Sequence, residues 1–294
     1  MKMKEFAETI RDRILGKIED VVEITIKPVL KNNGKKLTAI IFEERVQKAT
    51  PTIYLDDFYQ EYMKMKKDLD EIAGQVIGLY EKYRVLDEVD VDFIRHWEHV
   101  KDKVVYRLIN RERNRQLLKQ IPHEEILDLA MIFYVAFDHE SFMMINHGFC
   151  REWNVSKEEV MKVAKENTPR LFPMQMMIPE DVIRKVFGIE ETETVFSSIP
   201  IYFVTNQYSL YGASVILYPE VLPEMAEKLN SDLYLLPSSI HEFCIITADE
   251  DNNPESLIAM VREINRSTVD KEDYLGDNIY LYKKDARETM LIEG

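Results

Sequence analysis

Two short apolar runs, Leu233-Tyr234-Leu235-Leu236 and Phe243-Cys244-Ile245-Ile246, flank the polar hexapeptide Pro237-Ser238-Ser239-Ile240-His241-Glu242. Runs of this length bounded by turn formers read as buried strands, so the chain must reverse between them. A hydroxyl, imidazole or carboxylate placed at such a bend needs a hydrogen-bond partner or a task. The bend is therefore the leading candidate site as well as the strongest constraint on the fold.

The same grammar recurs along the chain. Phe6, Ile10, Ile14 and Ile18 form one helical stripe. Val22, Ile24 and Ile26 alternate with polar residues, and Asn33-Gly34 precedes the run from Leu37 to Phe42, the pattern of a hairpin. From Leu55 through Phe58, Leu69, Val76 and Tyr80 to Tyr83 the apolar spacing predicts one long amphipathic helix. Ile126 to Phe137 and Phe142 to Ile145 read as strands about an Asp138-His139-Glu140-Ser141 turn. Ser156 and Glu159 form a capping box that opens a helix, with Val155 and Val160 as its staple. Ile199 to Val204, Ala213 to Leu217 and a helix from Pro219 to Leu229 make a further unit; Leu233 to Leu236, Phe243 to Thr247 and a helix opening at Asn253-Pro254 make another. Asn167, Asn230 and Asn265 are read as helix ends. Recurring strand-strand-helix units of this kind define an α+β class, antiparallel sheets with flanking helices. The charged stretch from Asp87 to Lys119 is the softest boundary, dividing an N-terminal helix-hairpin-long helix part, 1–86, from a larger mixed part, 87–294, the two also being compatible with one continuous domain.

With 46% apolar residues in 294, the chain can bury a core. It holds no run of roughly 20 uncharged apolar residues, and its N-terminus is charged from the outset, so neither a membrane span nor a signal core is expected. Two cysteines fit a reducing compartment, and the expected location is cytoplasmic. A formal charge of -15 repels phosphate backbones and anionic lipid, which argues against nucleic acid and membrane as partners. Nine glycines without a Gly-rich cluster leave no phosphate-cradling loop, and no cofactor is expected.

Four groups of residues carry candidate chemistry. Ser238, Ser239, His241 and Glu242 contain the residue types of a hydrolytic set. On a strand, however, Ser239 and His241 share a face that Glu242 does not, so a distant carboxylate would have to complete it. No Gly-x-Ser-x-Gly elbow is present. The pairs His147/Cys150 and His241/Cys244 match a two-His, two-Cys zinc set in composition, but extended backbone would point each pair to opposite sides. Arg107, Arg111 and Arg115 recur every fourth residue and would form a binding ridge for an anion or acidic partner if helical, with intramolecular ion pairing as the plainer role. Met174-Gln175-Met176-Met177 reads as a Pro-punctuated loop, its thioethers lining a contact surface or filling the core.

The segments Arg107-Leu108-Ile109-Asn110, Pro122-His123, Tyr211-Gly212-Ala213-Ser214 with Leu217-Tyr218-Pro219, and above all Leu236-Pro237-Ser238-Ser239-Ile240-His241-Glu242, resemble those of bacterial domain-of-unknown-function family 5688 over nearly the whole chain. That resemblance implies an intracellular bacterial protein and carries no activity or ligand. Lacking a complete nucleophile, acid/base or metal set, the chain is expected to be a non-enzymatic binding protein for a protein or small-molecule partner, with its site at the Pro237 to Glu242 turn. The alternative is a hydrolase using Ser239 or Ser238 with His241.

Overall fold

The computed structural model describes residues 1–18, 21–44, 52–86, 91–177, 201–249 and 252–294. The chain divides into two compact units, Met1–Val100 and Lys101–Gly294. As the apolar periodicities anticipate, it is an α+β fold. The described strands form three sheets, and every pairing in them is antiparallel.

In the first unit, strands β1 (Val21–Leu30), β2 (Lys36–Glu44) and β3 (Thr52–Tyr54) form a meander. The β1–β2 reversal uses the expected Asn33-Gly34 pair, both in the left-handed region at φ 56° and 72°. The helices Met3–Ile14 and Leu69–Leu86 supply Phe6, Ile10, Val76 and Tyr80 to a core shared with Ile40 and Phe42, and the Phe42 and Tyr80 rings lie 4.3 Å apart. The long helix expected from Leu55 to Tyr83 is instead two, Asp56–Met63 and Leu69–Leu86. Asp68 explains the break: its Oδ1 accepts the Asp70 and Glu71 N–H groups at 2.8 and 2.9 Å, and Glu71 returns a bond to the Asp68 N–H. This reciprocal cap starts a new helix in register with the same apolar face.

The second unit holds two sheets. Strands β4 (Val104–Asn110), β5 (His123–Ile126), β6 (Leu129–Ala136) and β7 (Phe142–Met144) make one, with β6 pairing with the other three. The expected turn at 138–141 is closed by Asp138 Oδ1, which accepts the Glu140 and Ser141 N–H groups. The larger sheet runs β13-β12-β10-β11-β9-β8, from β8 (Met174–Met177), β9 (Tyr202–Asn206), β10 (Leu233–Ser239), β11 (Glu242–Thr247), β12 (Ile279–Lys283) and β13 (Glu288–Ile292). Ser156 caps the helix Lys157–Leu171 as its capping box requires, its Oγ accepting the Glu159 N–H.

Several expectations are corrected here. Met174–Met177 is an edge strand, not a loop. Ala213 to Leu217 lies in a 3-10 turn, Gly212–Leu217, not a strand. Asn230 does close a helix in the left-handed conformation, but Asn167 and Asn265 sit inside theirs. Their side-chain amides clamp distant carbonyls: Asn167 donates to Lys101 and Val104, Asn265 to Gly276. Ile199 and Pro200, which begin another expected strand, lie outside the described residues; its remainder leads into β9. No helix among the described residues is long and apolar enough to cross a membrane.

Candidate functional site

The polar hexapeptide forms the tip of the β10–β11 hairpin, where Ser239 pairs with Glu242 and Ile240-His241 makes the reversal. Pro237 pairs with Phe243 of β11 beside an irregularity in the register, and β12 pairs only with Leu233 to Leu235, so the β12 edge is open at the proline.

Each polar group of the tip has a partner. Ser238 Oγ donates to Glu242 Oε1 at 3.0 Å, and Ser239 Oγ accepts the His241 N–H at 3.0 Å. His241 Nδ1 accepts the Tyr211 N–H at 3.1 Å, so a neutral ring carries its hydrogen on Nε2, which faces Asp273 Oδ1 at 3.3 Å. Asp273 is the distant carboxylate that the sequence could not name. No serine oxygen bonds the imidazole among the described residues, and both ring nitrogens are engaged elsewhere.

What the tip holds in place is Tyr211. Its ring stacks on His241 at 5.3 Å, and its backbone sits in the left-handed region at φ 57°, a conformation disfavoured for a residue with a Cβ. Ala213 N–H donates to Ile240 O, and Thr205 Oγ1 donates to His241 O, fixing the two segments together. Gly212 is required at this junction: a Cβ there would lie 2.7 Å from the His241 carbonyl oxygen, 2.6 Å from the Asn206 nitrogen, and against the Thr205 hydroxyl.

Behind Tyr211 lies Arg107, on β4 opposite Ile132 of β6 and only 7% exposed. Its Cζ stands 3.4 Å from the Tyr211 ring centroid, 3.7 Å from that of Phe142 and 4.2 Å from that of Tyr134. Cation-π attraction to three rings offsets part of the cost of burying the charge. It is not a substitute for hydrogen bonds, and Nη2 has none among the described residues. Burial lowers the guanidinium pKa from its ordinary value, yet an arginine remains a cation under all ordinary conditions. The side chain lines a cavity of about 10 Å³, room for roughly one water molecule. Phe142, Leu210 and Tyr211 are only half-buried and form its rim.

The arginine ridge does not exist, because residues 104–110 are extended rather than helical. Arg111 pairs with Glu125 at 2.8 Å and Arg115 with Glu112, both on the surface. The zinc candidates are also apart in character. His147 and Cys150 lie on the helix His147–Trp153, while Cys244 sits on β11 between Leu236 and Phe203, its thiol pushed up by burial. Among the described residues no three His, Cys, Asp or Glu side chains gather in a metal-holding arrangement.

Sequence reasoning missed Tyr134, Phe142, Tyr211 and Asp273. A signal was present for the arginine: Val104-Val105-Tyr106-Arg107-Leu108-Ile109 is β-branched, aromatic and short, the composition of a buried strand with one charge inside it.

The fold and site thus define an α+β protein with a buried, aromatic-caged arginine braced by a polar hairpin tip. The chain belongs to the Family of unknown function (DUF5688), whose model matches residues 3–284. Searches of curated proteins and of solved structures found no match.

Proposed function

We propose that this is a cytoplasmic bacterial binding protein, not an enzyme, and that it receives a small anionic ligand at Arg107. The supporting observation is the buried guanidinium whose Nη2 lacks a hydrogen-bond partner at a cavity wall. Leaving such a donor unsatisfied is costly, so an external acceptor has a ready place. In this reading the Pro237 to Glu242 turn acts through Tyr211, holding it over the arginine, rather than by touching the ligand. The hydrolytic alternative, with Ser239 or Ser238, His241 and Asp273, gains a carboxylate but has no serine oxygen on the ring. Geometry comes before pKa in choosing a general base, and the binding reading is preferred on that ground.

Thermal melting in sodium formate, acetate or phosphate, each against sodium chloride at matched ionic strength, tests the proposal. A ligand bound only by the folded state raises the midpoint by mass action. At least one anion should raise the wild-type midpoint and leave that of Arg107→Met unmoved. Equal shifts in the two proteins, or none, would show a salt effect and not a site.

A further inference from the structure

We infer that the ligand of this cavity is a small monocarboxylate, bound edge-on at Arg107 Nη2; the inference rests on the receptor reading above and narrows it to a chemical class. Among the described residues, Thr168, Asn206, Ser214 and Tyr218, four of the cavity's other polar side chains, have partners of their own. Thr168 Oγ1 donates to Ala164 O and accepts the Tyr106 N–H. Asn206 uses its oxygen for the Tyr208 N–H and its amide for Leu210 O. Ser214 Oγ donates to Tyr211 O, and the Tyr218 hydroxyl to Phe172 O. Arg107 adds a donor and a positive charge, the complement of a group that only accepts and carries one negative charge, as an ionised carboxylate does.

Three further facts bear on the head group's charge and on how it approaches. Among the described residues lining the cavity Arg107 is the only cation, so a doubly charged phosphate would bring one charge without a partner to an aromatic wall. A space of about 10 Å³ admits one oxygen atom, so only the leading edge of a bound head group enters it. The rings crowd Cζ at 3.4, 3.7 and 4.2 Å, so approach is at the nitrogen rather than across the guanidinium face. The rim of Phe142, Leu210 and Tyr211 then meets the ligand's carbon body, which is accordingly apolar where it touches them.

The test is a side-chain NMR titration of the full chain labelled with [15N]arginine, the Arg107 signal being assigned by its absence from Arg107→Met. Acetate and inorganic phosphate are the probes, at pH 7.5. Acetate should shift the Arg107 signal saturably, with phosphate about tenfold weaker or worse, since discrimination here comes from phosphate's unpaired second charge. Arg107→Lys, which keeps the charge but loses the planar fork, should bind acetate at least about tenfold more weakly than wild type. Phosphate binding as well as acetate would overturn the carboxylate class while leaving the receptor intact. A signal that neither anion moves, or that acetate moves only at molar concentration without saturation, would overturn the receptor itself and leave water as the occupant.

Discussion

Arg107 has opposing contributions to stability. Desolvating an arginine costs several kcal/mol even after relaxation, and an unmet donor adds to that cost. Three ring contacts return roughly 0.5 to 2 kcal/mol each. The difference is small, so Arg107→Met, which keeps much of the volume and removes the charge, should leave the unfolding free energy within about 1 kcal/mol of wild type. Urea denaturation measures it. A loss above about 3 kcal/mol would mark the guanidinium as a structural post of the aromatic cluster instead of a receptor. At this scale the sequence displayed the right atoms in the wrong company. Arg107 was legible as a binding candidate, but its four-residue spacing to Arg111 and Arg115 suggested a helix, whereas the intervening Leu108 and Ile109 and the preceding valines favour a strand. Ser238, Ser239, His241 and Glu242 do come together at one turn. Their partners Tyr211 and Asp273 lie 30 and 32 residues from His241, beyond the reach of local pattern.

Elements were legible where a local chemical signal sets their limits. The Asn33-Gly34 turn, the Asp138 turn and the Ser156 cap all depend on side chains within a few residues of the backbone they satisfy. The break after Met63 was missed because apolar periodicity continues across it, and only Asp68 marks the new start. Asp68→Ala should therefore cost about 1 kcal/mol, with Asp68→Ser recovering most of it, as for other N-caps. Chemical denaturation of the three proteins reads this directly; an alanine variant as stable as wild type would remove Asp68 as the cause of the break. Asn167 and Asn265 show the converse error. Asparagine suits a left-handed helix end, but inside a helix it can equally clamp a distant carbonyl, and the sequence does not distinguish the two.

For the whole molecule, the α+β class and the antiparallel pairing followed from short runs and tight turns. The order β13-β12-β10-β11-β9-β8 did not, because it depends on contacts between segments far apart in the chain. Asp128 illustrates the difficulty: its carboxylate accepts bonds from Asn278 and Tyr280, about 150 residues on. The overall charge of -15 bears on anions at long range and says nothing about a single cation set among aromatic rings. The site lies wholly within Lys101–Gly294, built by β4, the β6–β7 hairpin, the Tyr211 segment and the β10–β11 tip. A crystal structure of the full chain grown from sodium acetate, without phosphate or sulfate, examines it most directly. Flat, two-oxygen density in plane with Arg107 Nη2 and backed by Tyr211 is the predicted result; a lone spherical water at that nitrogen, or an internal carboxylate bonded to it, would contradict the receptor.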